Sequence, residues 1–446
     1  MESKDVSSKQ QFVIAATIIG NALEWFDVTL LSLIAPLIIT IFLPKGSFST
    51  SLFSVLMFVL LAIARPIGGL VFGYLGDKMG RRAALLKAII LMTIPIFLIA
   101  ILPSYSKIGV SATIVLALIL FIQGFSLGGE FPGSLVFLTE SSNEKNQGYV
   151  GSWGYFGIYL GIFLAAVEIY LLRTEMPPKS FDQWGWRIPF FFAAVIGLTG
   201  ICLRRLLHET TYFRKAKQYG YLVKEPILDA LHKYKKNIFQ GIGLFILDTV
   251  GFNLVILFSS AHFVHTMKLS YASAYRVNLC TLVIFLISTP LFGKLSMRIG
   301  CKRLAKWTIY GLLLLAFPLY FIMATKLLWT IYLGQGLLAI LLAAYFSTLP
   351  ALICSLFPPE VRYSGTSIVI NAAVGIFGAA GPLIMTYFVI GTGIRVLPSL
   401  YLVIGSLISL YTLFTIKDER RKTDIIDLPE QKSAPEKDSA SATGSD

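Results

Sequence analysis

The sequence predicts an all-α polytopic membrane protein with twelve transmembrane helices arranged as two pseudo-symmetric six-helix bundles. Three observations lead to this prediction. The chain is apolar, with 56% hydrophobic and 14% charged residues, whereas soluble domains carry about 25% charged residues. Its apolar runs repeatedly reach the length of about 20 residues that a helix needs to cross a bilayer. A short motif rich in glycine and basic residues also occurs twice, at equivalent places in the two halves of the chain.

Composition excludes several other classes of protein. The mean hydropathy of +0.74 is that of a membrane protein, so the net charge of +14 indicates basic cytoplasmic loops and not a nucleic-acid partner. The four cysteines are scattered and the four histidines form no His-Glu-x-x-His motif, which predicts neither a disulfide nor a metal site. The sequence also lacks a phosphate-binding Gly-x-x-x-x-Gly-Lys-Ser/Thr loop and a nucleophile–base arrangement. We therefore expect neither an enzyme nor a bound cofactor.

Twelve apolar segments are long enough to span the membrane. Their predicted bounds are residues 11–43, 50–74, 83–103, 111–139, 148–172, 186–205, 238–264, 272–293, 303–325, 328–353, 364–390 and 394–416. The longest polar connection, the cytoplasmic linker 206–237, divides an N-terminal six-helix bundle, 11–205, from a C-terminal six-helix bundle, 238–416. A short polar segment, 1–10, precedes the first helix. The charged C-terminal tail, 417–446, has too few large apolar residues to fold, and we expect it to be disordered.

The distribution of basic residues predicts the orientation. With both termini inside, roughly 28 of the 38 lysine and arginine residues fall on the cytoplasmic side and roughly 9 outside, an imbalance that sets topology. Arg65 is the one base placed inside a predicted span. We therefore expect a multi-pass protein of the inner (plasma) membrane with both termini in the cytoplasm.

The repeated motif lies between two apolar runs in each half of the chain. Its first copy, Gly73–Arg82, combines glycines, one acid and three bases, which are unfavourable within lipid. We therefore predict a tight turn at a membrane face. The second copy, Gly293–Arg303, has the same skeleton displaced by 220 positions, close to half of the 446 residues, but Met297 stands in place of Asp77. The displacement indicates an internal duplication.

Several ionisable side chains fall inside predicted spans, where each charge costs roughly 2.5–3.5 kcal/mol unless it is paired or faces water. They are Glu24 and Asp27 in the first span, Arg65 in the second, Glu130 in the fourth, with Gln123 two turns earlier on the same face, and Asp248 in the seventh. Three or four acids cannot all be neutralised by one base, which favours a polar cavity where they bind substrate and carry protons. The alternative is a structural ion pair, for example between Arg65 and either Glu24 or Glu130.

These residues and motifs resemble the major facilitator superfamily, whose members have two six-helix halves and cytosolic ends. The turn at Gly73–Arg82 is similar to the family's signature between the second and third helices, and a weakened copy recurs between the eighth and ninth. The resemblance is closer to the bacterial metabolite:proton symporters, the group of proline/betaine, α-ketoglutarate, citrate and shikimate permeases. The matching stretches lie between residues 15 and 415 and are Gly20–Asp27, Arg65–Gly69, Gln123–Glu130, Gly151–Trp153, Gly185–Phe190 and Phe357–Gly365.

Three positions depart from the pattern of these symporters. Leu120 stands where many of them carry an arginine in the fourth helix, Gln147 replaces a loop arginine, and Met297 occupies the acid position of the second turn. The missing arginine leaves Glu130 without its usual neighbour. The C-terminal tail also shows no sustained heptads, so we do not expect the osmotic activation of the relatives with a coiled-coil tail.

The resemblance implies a secondary active transporter that works by alternating access, in which the two halves rock about a central site. We expect proton-coupled symport of a small zwitterionic or organic-acid metabolite, with the proton carried through Glu24, Asp27 and Glu130. The complete proton and substrate site is expected to comprise Glu24, Asp27, Arg65, Gln123, Glu130 and Asp248. The expected partners are the small-molecule substrate, protons and the lipid bilayer, and the expected functional unit is a monomer.

The same resemblance implies a cytoplasmic gate at the repeated turn. The gate is expected to comprise Gly73, Gly76, Asp77, Lys78, Gly80, Arg81, Arg82, Arg298 and Arg362. Its glycines would allow close approach to the eleventh helix, and Asp77 would meet the positive N-terminal end of that helix, near Tyr363–Gly365. The bases would pair with acids of neighbouring loops, such as Glu140 or Glu144. A turn that only anchors topology would explain the bases but not the combination of Asp77 with three glycines.

Other functions are compatible with the same fold. A proton-driven exporter or an uncoupled facilitator would use the same residues, and flux measured with and without a pH gradient separates these alternatives. A membrane sensor that has lost transport is a further alternative, because Leu120, Gln147 and Met297 depart from the symporter pattern. The sequence shows no extramembranous domain that would relay a signal.

Overall fold

The computed structural model describes residues 8–44, 47–378, 389, 392, 394 and 396–416. The predicted disordered tail, most of the first ten residues and much of the later part of the eleventh predicted span lie outside these residues. Within the described part, the chain is helical and contains no strand.

Twelve helices of the described part occupy the places of the twelve predicted spans. They are α1 Ser8–Phe42, α2 Ser47–Lys78, α3 Arg81–Ile101, α4 Val110–Glu140, α5 Gln147–Glu175, α6 Ile188–Leu206, α7 Lys235–Phe252, α8 Tyr271–Ile299, α9 Cys301–Met323, α10 Leu328–Phe346, α11 Arg362–Ala373 and α12 Leu397–Thr415. Among the described residues, ten helical segments are long and apolar enough to cross a membrane. The helices α2 and α11 take the places of the other two predicted spans.

Some of these helices continue beyond their regular part. After α7 the chain forms π-helical turns at Asn253–Leu257 and His262–Thr266, and after α11 it forms another at Val374–Gly378. After α10 a short helix, Leu349–Cys354, carries the chain to the start of α11. Such π-helical turns are rare and occur often at functional sites.

The turn predicted at Gly73–Arg82 is much shorter than expected. Helix α2 continues to Lys78 and α3 begins at Arg81, so only Met79 and Gly80 lie between them. Gly80 has φ of 113°, a left-handed value that favours glycine. The backbone can stay helical because the charged side chains of the turn are accommodated at the helix ends, Lys78 at the surface and Asp77 and Arg81 against buried polar partners. The second copy behaves in the same way, because α8 ends at Ile299, Gly300 has φ of 86° and α9 begins at Cys301.

The connection at 206–237 contains two short helices that the sequence analysis did not predict. They are Thr211–Gln218 and Pro226–Lys233, and the second packs against α2 and α11. Short helices also form at Tyr105–Ile108 and Pro178–Gln183.

The long helices pack into two groups. Helices α1 to α6 pack mainly on each other, and α7 to α12 do the same. Two helix pairs provide the main contacts between the groups, α2 with α11 and α5 with α8. The all-α architecture of two six-helix bundles is therefore confirmed, and polar residues on these two pairs of helices lie where the bundles meet.

Candidate functional site

Two carboxylates of α1 are buried in the N-terminal bundle. Glu24 and Asp27 are each 1% exposed, and Asp27 accepts a hydrogen bond of 2.8 Å from Nε2 of Gln123 on α4. Oε2 of Glu24 and Oδ1 of Asp27 have no hydrogen-bond partner among the residues that the structure describes. Burying a charged oxygen without a partner is unfavourable. A bound proton would remove that penalty at either carboxyl group.

Arg65 joins the two bundles near these acids. Its Nε lies 3.4 Å from Oδ1 of Asn371 on α11, and Glu24 lies within its electrostatic range. Asn371 in turn donates a hydrogen bond of 2.9 Å to the backbone oxygen of Gly128 on α4. The guanidinium of Arg65 is therefore placed between a carboxyl group of one bundle and an amide of the other.

Glu130 pairs with Arg204, a base that the sequence did not predict to lie inside the bundle. Nη1 of Arg204, on α6, donates to Oε2 of Glu130 at 2.6 Å, and Nη2 donates to its Oε1. Nη1 also donates to the backbone oxygen of Leu85 at 2.8 Å. We expected Arg65 to be the one base within the spans, but the structure shows that Arg204 is a second. An arginine at a predicted helix end ordinarily extends to water, whereas the guanidinium of Arg204 turns into the bundle.

The pair of Glu130 and Arg204 depends on a glycine of α1. A Cβ atom on Gly20 would overlap Nη2 of Arg204 and lie 2.5 Å from Oε1 of Glu130. Both side chains of the pair are at most 1% exposed. This is the structural ion pair that the sequence analysis gave as the alternative to a proton site, except that the base is Arg204 and not Arg65. It fixes α6 against α3 and α4.

Asp248 lies on α7 in the other bundle, and its partner comes from across the interface. The hydroxyl of Tyr155, on α5, donates to Oδ1 of Asp248 at 2.8 Å. Asp248 is 7% exposed and forms no ion pair within the described residues. The predicted set of six residues therefore divides into the α1–α4 acids, Arg65 at the interface, the Glu130 ion pair and a separate site at Asp248.

The structure contains the predicted contact between Asp77 and the start of α11. Oδ1 of Asp77 accepts from the backbone nitrogen of Tyr363 at 3.1 Å, and Oδ2 accepts from that of Ser364 at 2.8 Å. These are amide groups of the first helical turn, which have no partner inside the helix and carry the positive end of its dipole. A carboxylate of the N-terminal bundle thus caps a helix of the C-terminal bundle. A Cβ atom on Gly76 would overlap the ring of Tyr363, so the close approach requires glycine there.

Glu140 joins arginines of both bundles on the same side of the protein. Its carboxylate accepts from Nε and Nη2 of Arg81 at 3.1 Å each and from Nη1 of Arg362 at 3.1 Å. Arg81 also lies 3.4 Å from Asp77 and donates to the backbone oxygen of Pro359. The side chains of Arg81 and Glu140 are almost fully buried. This network closes the end of the interface at which α2 meets α11.

Residues of the connection between the bundles complete this network. Glu209 accepts hydrogen bonds from the backbone nitrogens of Arg81 and Arg82, at the start of α3. The hydroxyl of Thr210 donates to Oε2 of Glu140 at 2.7 Å. The ring of Phe213 lies under the guanidinium of Arg81, 5.3 Å from its centroid. The connection is therefore part of this charged network and does not merely cross over it.

The remaining predicted gate residues occupy varied positions. The side chain of Lys78 donates to the backbone oxygen of Lys224 in the connection, and that of Arg82 donates to backbone oxygens at the end of α6, including Arg205; neither donates to an acid within the described residues. Glu144 is exposed, so Glu140 is the acid that the structure uses. Gly73 lies against Ser364, whereas Arg298 is exposed at the α8–α9 turn, apart from this network.

Four residues of these sites were missed by the sequence analysis, and they are Arg204, Glu209, Thr210 and Tyr155. Of these, only Arg204 carried a usable signal, because it lies within the reach of a predicted span. Among the described residues, no group of three or more His, Cys, Asp or Glu side chains could hold a metal ion. The site is built from carboxylates, arginines, amides and tyrosines.

Comparisons with known proteins agree with this architecture. A family model described as Major Facilitator Superfamily matches residues 17–369 and 242–437. The proline/betaine transporter of Escherichia coli (strain K12) is 31% identical over 422 residues, which cover 92% of this chain and 84% of that protein. The glycine betaine/proline/ectoine/pipecolic acid transporter OusA of Dickeya dadantii (strain 3937) is also 31% identical over 422 residues, covering 92% and 83%.

Solved structures share the fold at much lower sequence identity. The proton:xylose symporter XylE bound to 6-bromo-6-deoxy-D-glucose superposes with a TM-score of 0.75 at 16% identity, covering 92% of this chain and 96% of that chain. This likeness extends over both six-helix bundles.

Proposed function

The chain belongs to the major facilitator superfamily, and the relatives to which it is similar are membrane transporters and not enzymes. We propose that it is a proton-coupled symporter of a small zwitterionic metabolite. It would work as a monomer in the bacterial inner membrane, with both termini in the cytoplasm. Alternating access would expose a site between the bundles to one side of the membrane at a time.

The observation that carries the proposal is the placement of Glu24. Its carboxyl group is buried, one oxygen has no hydrogen-bond partner among the described residues, and it lies within the range of Arg65. Arg65 contacts the other bundle through Asn371. A proton that binds Glu24 therefore changes the charge beside a residue that joins the two bundles.

This placement supplies a physical route for coupling. When Glu24 is ionised, its charge attracts the guanidinium of Arg65; when it is protonated, that attraction is lost. Arg65 is then available to bind an anionic group, such as a substrate carboxylate. Substrate and proton thereby favour each other's binding, and linkage makes this coupling reciprocal.

The other acids take different parts in the proposal. Asp27 is a second proton site, because one of its oxygens also lacks a partner in the described part of the chain. Glu130 has both oxygens engaged by Arg204, so we assign it to holding α3, α4 and α6 together. The proton pathway is accordingly narrowed from the three acids expected from the sequence to Glu24 and Asp27.

A zwitterionic substrate is supported by two charged side chains at equal depth. Arg65 lies 13 residues before the end of α2 at Lys78, and Asp248 lies 13 residues after the start of α7 at Lys235. Each is therefore about 20 Å along its own helix from the helix end that is predicted to lie on the cytoplasmic side. The printed names of the similar transporters, proline/betaine and glycine betaine/proline/ectoine/pipecolic acid, point to the same class of molecule.

The test is uptake into proteoliposomes that contain the purified protein. Labelled glycine betaine, proline and succinate are offered with and without an inwardly directed proton gradient. We expect accumulation of a zwitterion above equilibrium only with the gradient. Glu24→Gln should abolish accumulation but retain exchange of labelled for unlabelled substrate, because exchange requires no net proton movement.

The control is Glu175→Gln, the same change at an exposed position of α5, which should behave like the wild type. Uptake that equilibrates regardless of the gradient would establish a facilitator, and accumulation under the opposite gradient would establish an exporter. Either result contradicts the proposal. Gradient-driven accumulation by Glu24→Gln at the wild-type level would remove Glu24 from the coupling mechanism.

A further inference from the structure

Asp248 is surrounded by tyrosines at the interface between the bundles. Tyr155 donates to its carboxylate at 2.8 Å, and Tyr159 and Tyr345 lie within its electrostatic range. The hydroxyl of Tyr345 is engaged elsewhere, because it donates to the backbone oxygen of Leu244 at 2.7 Å. Within the described residues, Asp248 has no lysine or arginine partner. Its carboxyl group is thus surrounded by neutral aromatic side chains.

The hydroxyl of Tyr159 points to an interaction that the protein itself does not supply. Tyr159 is 0% exposed, and its hydroxyl has no hydrogen-bond partner in the part of the chain that the structure describes. A buried hydroxyl without a partner is unfavourable. Together with a buried carboxylate that has no basic partner among the described residues, it indicates a site that the protein's own groups do not complete.

The aromatic rings at this site are paired across the interface. Tyr155 stacks on Phe346 of α10 with ring centroids 5.6 Å apart, and Tyr159 stacks on Phe285 of α8 at 4.5 Å. The tyrosines belong to the N-terminal bundle and the phenylalanines to the C-terminal bundle. Movement of one bundle against the other, as alternating access requires, would separate each pair. Ring faces would then be uncovered beside Asp248.

Aromatic faces around one carboxylate provide the chemistry that recognises a cation without N–H groups. A quaternary ammonium group is attracted by the faces of aromatic rings and needs no hydrogen-bond acceptors. A primary ammonium group would instead need acceptors for three N–H bonds, whereas this site has one carboxylate that already accepts from Tyr155.

We propose that Asp248, Tyr155 and Tyr159 bind the quaternary ammonium group of a betaine-type substrate, while Arg65 binds its carboxylate. The inference rests on the proposed function and deepens it, because it assigns the substrate class and the residues that select it. In this proposal Tyr155 has two roles. Its hydroxyl donates to Asp248 while the interface is closed, and its ring contacts the cation when the interface opens.

The experiment compares two molecules of the same shape that differ in charge. Glycine betaine carries a trimethylammonium group, and 3,3-dimethylbutanoate has a carbon atom in place of the nitrogen. Binding of each to the purified protein is measured by calorimetry at fixed pH. We expect the wild type to bind glycine betaine at least about tenfold more tightly, which corresponds to one desolvated cation site.

The variants separate charge, ring face and hydroxyl. Asp248→Asn should lower the ratio of the two affinities by about fivefold or more, and Tyr159→Leu by about threefold, because each removes one attraction for the cation. Tyr159→Phe keeps the ring face and should leave the ratio within twofold of the wild type. Tyr345→Phe is the matched control, since its hydroxyl donates to the backbone oxygen of Leu244 and not to Asp248, and it should leave the ratio unchanged.

A residue with only a structural role would weaken binding of both molecules equally, so the ratio is the informative readout. Equal affinities of the wild type for the two molecules, or an unchanged ratio in Asp248→Asn, would overturn this inference. Binding of proline without glycine betaine would overturn it while leaving the proposed function intact. Failure to bind any of the three, together with failure of gradient-driven uptake, would overturn both.

Discussion

The two copies of the repeated turn have the same backbone conformation, but they contact the other bundle through different kinds of side chain. In each copy a helix ends at a glycine with positive φ, Gly80 or Gly300, and the next helix begins at once. At the first copy, Asp77 and Arg81 contact α11 and Glu140. At the second copy, Met297 and Cys301 stand at the corresponding places.

The second copy joins the bundles by close packing of small residues. A Cβ atom on Gly293 would overlap the Ser152 hydroxyl of α5, and one on Gly148 would overlap Ser296 and approach Cys301. Small residues let helix backbones approach closely and slide. The α2–α11 contact beside the first copy is therefore held by charge and hydrogen bonds, whereas the α5–α8 contact beside the second copy is held by the close packing of small residues.

This difference teaches which contact can act as a gate. The hydrogen bonds that Asp77 accepts from two backbone amides form in one relative position of the bundles and break in others, so they define a closed state. The small residues around Gly148 and Gly293 make no such directional contact, so the packing at this end of α5 and α8 changes less as the bundles rock. We propose that the duplication supplied one geometry twice and that charged residues at one copy made it a gate.

The largest effect is expected from Glu140, which breaks the charged contact at its centre. Glu140→Gln removes the charge of the carboxylate that Arg81 and Arg362 share, and leaves the buried Arg81 with only Asp77 as a charged partner, 3.4 Å away. Removing one partner of a buried ion pair typically lowers the free energy of unfolding by about 3–5 kcal/mol. We expect a marked fall in the thermal unfolding midpoint in detergent. Glu360→Gln, at the position related to Glu140 by the repeat, serves as the control, and an equal fall there would contradict the asymmetry.

A pair of glycine substitutions compares the two interfaces directly. Gly76→Ala places a Cβ atom in the ring of Tyr363, which is fully buried and anchored through its hydroxyl to Gly129. Overpacking of this kind costs about 1–3 kcal/mol, and we expect transport to be lost. Gly293→Ala meets mainly the Ser152 side chain, so it should lie at the lower end of that range and retain transport. Equal loss in both variants, measured by uptake and by thermal unfolding, would show that the interfaces do not differ.

Asp77→Asn should have an intermediate effect. The amide removes the negative charge at the start of α11, a contribution of about 1 kcal/mol, which corresponds to about a fivefold change in rate. We expect uptake to slow by that factor while substrate affinity, measured by calorimetry, stays within twofold of the wild type. A change in affinity with no change in turnover would place Asp77 in substrate binding instead of the gate.

The smallest effect is expected when an acid is restored to the second copy. Met297→Asp adds a carboxylate at a half-buried position whose repeat-related neighbour is Cys301 and not an arginine. Without that base the acid gains no ion pair comparable to that of Asp77 and Arg81. Uptake should therefore remain within about twofold of the wild type. A large loss of transport would mean that the second copy is as sensitive to charge as the first.

Helix positions were predictable because each span needs a long apolar run. The predicted span 148–172 became Gln147–Glu175, and 328–353 became Leu328–Phe346 followed by Leu349–Cys354. The contact of Asp77 with the start of α11 was also expected. It follows from the chemistry of an acid beside free amides once the helices are placed.

Pairings between distant residues could not be predicted. Arg204 occupies a helix end where hydropathy assigns arginine to water, and only its packing against Gly20 shows that it turns inward. Similarly, the hydrogen bond between Tyr155 and Asp248 joins residues on different bundles. A single sequence does not indicate how α5 and α7 are aligned with each other across the interface. The short helix Thr211–Gln218 is polar and lacks the length of a span, so composition alone favoured a linker.

A distance between the two bundles on the side of the gate would test directly whether charged residues at the α2–α11 contact hold the gate closed. Spin labels at Lys87 on α3 and Lys294 on α8, both exposed, report the separation of the bundles in liposomes, in a protein without its four native cysteines. We expect one dominant short distance without substrate, and a second, longer distance in Asp77→Asn but not in Met297→Asp. Identical distance distributions in all three proteins would contradict the claim that charges at α2–α11 hold the gate closed.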